Sequence, residues 1–156
     1  MALGALRTTH DRIAQRLAAL VPQDLVALAA RFGIGATFWL SGRTKMEGVI
    51  AVTDGAIDLF REEFRLPLID PVVAAHMAAW AETLFPMLLF LGLFTRLSAA
   101  ALLFMTLVIQ VFVYPSGWPD HILWFTALLL ILARGPGAIS LDHLVWSRAH
   151  APAAAR

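Results

Sequence analysis

The sequence predicts an all-α integral membrane protein: a bundle of four transmembrane helices, with an amphipathic helix at the N-terminus and a short helix in the first outer loop. Of the 156 residues, 60% are hydrophobic and 15% are charged, and the mean hydropathy is +0.74. Soluble domains carry about 45–50% apolar and about 25% charged residues. Four segments approach the roughly 20 apolar residues that a helix needs to cross the hydrocarbon core of a bilayer.

Composition also excludes several classes of function. The sequence contains no cysteine, which excludes disulfides, zinc–thiolate sites and iron–sulfur ligation by this chain. The net charge is +1, so no polybasic surface is available to hold the phosphates of a nucleic acid. The sequence also lacks a Gly-rich phosphate loop and a metal-ligand spacing.

The apolar segments divide the chain into three parts. The predicted spans are residues 25–44, 72–94, 97–114 and 119–134, which define a membrane domain over 25–134. Residues 1–24 form an amphipathic arm expected to lie on anionic lipid, and residues 135–156 form a tail. In the first outer loop, Thr53 precedes the run DGAIDLFREEF, which is typical of an N-cap followed by a short amphipathic helix.

The distribution of lysine and arginine predicts the orientation, since cytoplasmic loops are enriched in both. With four spans, one side carries more of these residues than the other: Arg7, Arg12, Arg16, Arg96, Arg134, Arg148 and Arg156 against Arg43, Lys45, Arg61 and Arg65. Both termini are therefore expected in the cytoplasm, with two loops outside. The first apolar stretch lacks a small-residue cleavage site and is expected to remain as a signal anchor.

Polar side chains within the spans are the first candidates for a functional site, because a charged group at the centre of a spanning helix costs about 2.5–3.5 kcal/mol on insertion scales. Counted from the span ends at about 1.5 Å per residue, Glu82 and Gln110 lie near mid-membrane. The long side chain of Arg31 can reach toward Glu82. We therefore expect an Arg31–Glu82 pair with Gln110 nearby, which either fixes helix packing or forms a polar pocket for a ligand head group or a proton.

A second cluster is expected near the outer face, where Lys45 ends the first span and His76 and His121 lie close to the start of theirs. Two histidines at one level either bind copper, haem or a quinone carbonyl, or make ordinary hydrogen bonds. Gly33, Gly35 and Gly42 are typical of a close helix interface. Pro86 frees the carbonyl four residues earlier, at Glu82, and predicts a kink that opens space there.

Three stretches, in order along the chain, resemble the DoxX family. They are RFGIGATFWLSGRTKMEG (31–48), Glu82 followed by LLFLGLFTRLSAAAL (88–102), and WPDHILWFTALLLILARGPGAISLD (118–142). The resemblance covers roughly residues 25–142 and leaves the arm outside it. The positions that it carries over are Arg31, Lys45, Glu82, Arg96 and Asp142.

This resemblance implies a four-helix, multi-pass protein of the bacterial inner membrane. Names in the family derive from a quinol oxidase and from a thiosulfate:quinone oxidoreductase subunit, so quinone is the cofactor that the resemblance implies. Other members are associated with thiol and oxidative stress, or with copper-responsive systems, and look like membrane anchors for soluble enzymes. Because this chain has no cysteine, thiol chemistry would belong to a partner protein.

Three functions stay open at this point, and so does whether the chain is an enzyme. The first is a redox-linked subunit that binds a quinone, with Glu82 and Arg31 at its head group and His76 or His121 at the other carbonyl. The second is a non-enzymatic anchor or assembly factor, whose arm, tail or outer loop holds a soluble redox or metal-stress protein. The third is a transporter of a small solute or metal, which with four spans would require a homodimer.

Overall fold

Four apolar helices form the body of the protein, an integral membrane bundle, in the computed structural model, which describes residues 15–16 and 19–149. In chain order the elements are α1 (Gln23–Lys45), β1 (Met46–Glu47), β2 (Ala51–Val52), α2 (Asp54–Leu59), α3 (Pro71–Leu91), α4 (Thr95–Val108), α5 (Trp118–Arg134) and α6 (Leu141–Ala149). The predicted four-helix membrane bundle is confirmed. The predicted amphipathic helix of the arm falls largely on residues 1–14 and 17–18, outside the described part of the chain.

Two of the helices continue in wider turns. A π-helical turn over Phe60–Phe64 extends α2, and another over Ile109–Val113 extends α4. A 3₁₀ turn over Pro115–Gly117 then leads into α5. Helices α1, α3, α4 with its extension, and α5 with its 3₁₀ turn are each long and apolar enough to cross a membrane.

The turn between α3 and α4 is wider than the sequence predicted. Helix α3 ends at Leu91 rather than at residue 94, because Gly92 adopts a left-handed conformation (φ 66°) and its N–H and that of Leu93 close the last turn. Helix α4 begins at Thr95 rather than at residue 97. Its first amides are capped by Asp142, whose carboxylate accepts hydrogen bonds of 2.9 Å from the N–H groups of Phe94 and Thr95.

We call the end of the bundle where Gln23, the α3–α4 turn and Arg134 meet the terminal end. The predicted tail begins here, and part of it folds back onto the bundle as α6 and the segment before it. The Asp24 carboxylate accepts a 2.7 Å hydrogen bond from the N–H of Ala138, and Arg31 donates a 2.5 Å hydrogen bond to the carbonyl of Ile139. The sequence analysis did not predict α6.

We call the opposite end the hairpin end. There α1 stops at Lys45, and strands β1 and β2 form a short antiparallel hairpin whose turn contains Gly48 in a left-handed conformation (φ 65°). Thr53 then caps α2, its hydroxyl accepting a 3.1 Å hydrogen bond from the N–H of Ala56. The predicted short helix in this loop is therefore confirmed, whereas the β-hairpin was not predicted.

Helices α1 and α3 run antiparallel with a definite register. A Cβ built on Gly92 would meet Arg31, one built on Gly35 would meet Phe90, and one built on Gly42 would meet the backbone of Glu82. Gly33, by contrast, has nothing within 4 Å of such a Cβ, so its predicted role in the helix interface is wrong. Beside these contacts, the buried apolar core is formed by Ile34, Phe38, Leu89, Ala99, Leu102, Leu128 and Ile131.

Replacing Gly42 with alanine is expected to destabilise the bundle, whereas Gly33→Ala is not. A Cβ at position 42 would lie 2.8 Å from the carbonyl oxygen of Glu82, a backbone atom that cannot move without shifting α3. Overpacking of this kind costs about 1–3 kcal/mol, while alanine in an open helical position gains about 0.5–1 kcal/mol over glycine. Thermal unfolding in detergent measures both variants, and equal midpoints for the two would contradict this register.

Candidate functional site

A buried ion pair joins α1 to α3. The Nζ atom of Lys45 lies 2.7 Å from Oε2 of Glu82, and the two side chains are 8% and 5% exposed. Lys45 is the last residue of α1, while Glu82 lies eleven residues, or roughly 16 Å, along α3 from Pro71. The pair is therefore held well inside the end of α3, beneath the β-hairpin and α2.

Two backbone features let these side chains meet. Gly42 lies against the carbonyl of Glu82, so α1 and α3 approach closely one turn before Lys45. Pro86 lies inside α3 and has no N–H to donate to that same carbonyl. The predicted proline and glycine therefore both lie beside the carbonyl of Glu82, and the absence of a side chain at Gly42 lets the two backbones approach there.

Ser41 completes the polar group. The Lys45 ammonium donates to the Ser41 hydroxyl at 2.8 Å and to its carbonyl oxygen at 3.2 Å, in addition to Glu82. The three N–H groups of the ammonium are thus all used. Sequence reasoning missed Ser41, although its position one helical turn before Lys45 is a usable signal.

The predicted Arg31–Glu82 pair does not form, and the register of α1 against α3 explains why. Arg31 lies beside Gly92, whereas Glu82 lies beside Gly42. Eleven residues separate positions 31 and 42, a distance of roughly 16 Å along a helix. The prediction assumed that α1 and α3 end at the same depth in the membrane. In the structure the first turns of α1 extend past the α3–α4 turn and pack against the segment before α6, so Arg31 lies further from Glu82 than the prediction assumed.

Arg31 instead lies buried at the terminal end, where it is 1% exposed. Its Nη2 group donates to the carbonyl of Ile139, and its charge interacts favourably with Asp142. Its Nε and Nη1 groups have no hydrogen-bond partner among the described residues. Arg31 therefore joins α1 to the segment before α6 and is not part of the Lys45–Glu82 group.

Gln110 also lies apart from Glu82 and pairs with His121. Its Oε1 atom lies 2.7 Å from Nδ1 of His121, and its Nε2 group donates a 2.8 Å hydrogen bond to the carbonyl of Pro115. Measured from the α3–α4 turn, Glu82 is nine residues up α3, while Gln110 is fifteen residues up α4. This difference places Gln110 roughly 9 Å closer to the hairpin end, and the expectation that it lies near Glu82 is wrong.

The remaining predicted positions are structural or exposed in this fold. His76 lies on the exposed face of α3, where its Nδ1 atom is 2.8 Å from the carbonyl of Val72, one turn earlier. Arg96 lies beside Gly135 at the terminal end. Gly35 lies against the ring of Phe90. Within the described residues, no group of three or more His, Cys, Asp or Glu side chains is placed to hold a metal ion.

A cavity of about 380 Å³ extends from the ion pair toward the hairpin end; we call it the site cavity. Its polar side chains include Ser41, Lys45, Glu82 and His121, and the rest of its wall is mainly apolar. Met77 on α3 and Phe104 on α4 line the cavity and are also exposed on the outside of the bundle. The cavity therefore opens sideways between these two helices. Its larger apolar lining residues are Phe38, Phe60, Phe64, Leu66, Ile69, Phe85, Met105, Ile109 and Trp124.

The segment after α2 closes the cavity at the hairpin end. The rings of Phe60 and Phe64 pack edge to face at 4.8 Å, and Phe64 packs in the same way on Tyr114 at 5.6 Å. The Tyr114 hydroxyl donates a hydrogen bond to Glu63, and this bond raises the pKa of the tyrosine. The loop helix is thus fastened to the end of α4. Sequence reasoning missed Tyr114.

Removing one charge of the Lys45–Glu82 pair is expected to destabilise the bundle by more than half of the loss in stability that follows from removing both charges. Lys45→Met and Glu82→Gln each leave a buried charge without a partner, at a cost of about 3–5 kcal/mol. The double variant leaves no charge, so a double-mutant cycle in detergent should give a coupling of about 0.5–3 kcal/mol.

The exposed Arg61–Asp58 pair, 2.8 Å apart, supplies the matched control. Its cycle is expected to give less than about 1 kcal/mol, because solvent screens surface pairs. Additive effects of Lys45→Met and Glu82→Gln would contradict a buried ion pair.

Comparison with known proteins agrees with this architecture. A family profile described as DoxX matches residues 26–115, which include α1, the hairpin, α2, α3 and α4. An uncharacterized protein of Haemophilus influenzae is 29% identical over 131 residues, covering 76% of this chain and 82% of the relative. No solved structure matches. The match spans more than half of the sequence and includes both members of the ion pair, and the chain belongs to the DoxX family.

Proposed function

We propose that this protein binds a quinone in the site cavity and acts as a redox-linked membrane subunit. The observation that carries the proposal is the Lys45–Glu82 pair on the wall of an otherwise largely apolar cavity that opens between α3 and α4. Charged side chains inside membrane bundles are costly, and they commonly mark substrate, ion or proton pathways. A lipophilic ligand with a polar head group is the kind of molecule that such a cavity suits.

The shape of the cavity supports a ligand that arrives from the bilayer. A volume of about 380 Å³ lies within the range of about 300–1,000 Å³ that is usual for small-molecule sites. Phe85, Phe104 and Trp124 supply aromatic surface for a flat ring. The lateral opening leaves room for an isoprenoid tail to remain among the lipid chains while the ring lies inside.

The polar group would interact with the head group of the ligand. Of the three hydrogen bonds of the Lys45 ammonium, the one to the Ser41 carbonyl is the longest, at 3.2 Å. A quinone oxygen could take the place of this acceptor without breaking the ion pair. The Glu82 carboxylate would accept a hydrogen bond or exchange a proton with the head group, and His121 would contact the other side of the ring. Arg31 and His76, which lie elsewhere, have no part in this proposal.

The chain would act together with a partner protein. Its sequence contains no cysteine, so we assign any thiol chemistry coupled to the quinone to a soluble partner. We place the terminal end, with its excess of arginine, on the cytoplasmic side of a bacterial inner membrane. The folded segment before α6 gives that end a defined surface.

Filling the site cavity is expected to displace the quinone. Ala101→Phe adds a ring to the α4 wall of the cavity, whereas Ala100→Phe adds the same ring on the exposed face of the same helix. Protein purified in mild detergent is extracted with solvent, and the extract is analysed by mass spectrometry. Wild type and Ala100→Phe should retain near-stoichiometric quinone, and Ala101→Phe should lose at least about nine-tenths of it.

Glu82→Gln is expected to lose the quinone while the bundle still assembles, as judged by gel filtration. Wild-type protein with no more quinone than an unrelated membrane protein would overturn the proposal. The same holds if Ala101→Phe retains quinone as well as Ala100→Phe does. In either case co-purifying proteins become the next measurement, because a membrane anchor is the alternative function.

A further inference from the structure

His121 borders the site cavity from the first turn of α5. The side chain is buried, and its ring lies 4.9 Å from the ring of Trp124. A Cβ built on Gly117 would lie 2.8 Å from the Cε1 atom of His121, so the glycine leaves just enough room for the imidazole. His121 also borders a smaller cavity of about 250 Å³ between α4 and α5. The ring is therefore packed against Gly117 and Trp124, and it also borders both cavities.

The hydrogen bonds of Gln110 determine which nitrogen of His121 carries the proton. The carbonyl of Pro115 can only accept, so the group of Gln110 that lies 2.8 Å from it must be the NH₂ group. The amide oxygen then faces Nδ1 of His121 at 2.7 Å. An oxygen without hydrogen can only accept, so Nδ1 must be the donor. In the neutral ring, Nε2 is therefore the unprotonated nitrogen.

The backbone holds this arrangement in place. Gln110 lies in the π-helical turn Ile109–Val113, which the N–H of Tyr114 closes with a 2.8 Å bond to the carbonyl of Ile109. The chain then turns at once through Pro115, whose carbonyl points back at Gln110. Hydrogen bonds to one ring nitrogen of a histidine commonly fix the chemistry of the other. Within the described residues, Nε2 of His121 makes no hydrogen bond.

We propose that Nε2 of His121 accepts a hydrogen bond from a hydroxyl group of the bound molecule, so that the site prefers a quinol to a quinone. This inference rests on the proposed function, that the cavity takes a quinone. A quinone oxygen has no hydrogen, so its lone pairs would face the lone pair of the unprotonated Nε2 and no hydrogen bond could form. A quinol presents an O–H group at each end of its ring, and the Glu82 carboxylate, which also lines the cavity, offers a second acceptor.

The tautomer can be measured directly by NMR of protein labelled with ¹⁵N in histidine. The signal of His121 is identified by its loss in His121→Phe, which keeps a ring of similar size beside Trp124. At a pH where the ring is neutral, wild type should show a protonated Nδ1 and a bare Nε2. Gln110→Leu should lose that preference. A protonated Nε2 in the wild type would overturn the inference.

Binding of the two redox forms tests the consequence. A short-tailed ubiquinone and its quinol are titrated anaerobically into the full-length protein in detergent. An unpaired buried acceptor is costly, so wild type should bind the quinol about tenfold more tightly than the quinone. The ratio should fall to about one in His121→Phe and in Gln110→Leu. It should be unchanged in His76→Gln, because that histidine lies on the exposed face of α3.

The outcomes separate this inference from the proposed function. Equal binding of both forms by the wild type would overturn the inference and leave the quinone site standing. A ratio that does not change in His121→Phe would assign the preference to another residue and also overturn it. If neither form binds, the proposed function fails and this inference fails with it. Should His121→Phe not fold, Gln110→Leu and the wild-type tautomer still decide.

Discussion

The architecture depends on a buried ammonium and a buried carboxylate that must remain paired. Neither Lys45 nor Glu82 can be left alone in an apolar interior without a cost that exceeds most single contacts in the bundle. Their pairing therefore fixes how α1 slides along α3. Gly42 permits the approach, and Pro86 lies one turn from the carboxylate in the same helix.

The site cavity is a consequence of how the remaining elements surround that pair. Helices α3 and α4 are joined by a turn at the terminal end, and toward the hairpin end they enclose a cavity lined on α3 by small residues such as Ala74 and Ala78. Phe60 and Phe64 of the loop helix close its end, and α5 contributes His121 and Trp124. A polar group is thus held at the edge of a largely apolar space that is open to the side, which is the physical basis for proposing a lipophilic ligand.

The sequence was sufficient for the bundle but not for the pairing inside it. Long apolar runs predicted the four helices, and Thr53 predicted α2, because these signals are local. Lys45, Glu82 and His121 were recognised as candidates because charged and imidazole groups are costly in a membrane. The partner of Glu82 was not predicted correctly. Arg31 was expected beside it, but the level of Arg31 depends on Gly92 and on the segment before α6, which are distant in sequence. Gln110 was placed too close to Glu82 because the prediction counted from helix ends at the α3–α4 turn that differ from those in the structure. Neither this turn nor the π-helical turn has a clear sequence signal.

The central claim is that Glu82 is ionised and paired with Lys45 inside the bundle, and its protonation state can be measured directly. An infrared difference spectrum between wild type and Glu82→Gln, recorded near neutral pH in detergent or lipid, isolates the vibrations of this one side chain. The account predicts that the wild-type spectrum contains the paired stretching bands of an ionised carboxylate, and that these bands shift in Lys45→Met. A carbonyl band of a protonated carboxylic acid, unaffected by Lys45→Met, would contradict the account.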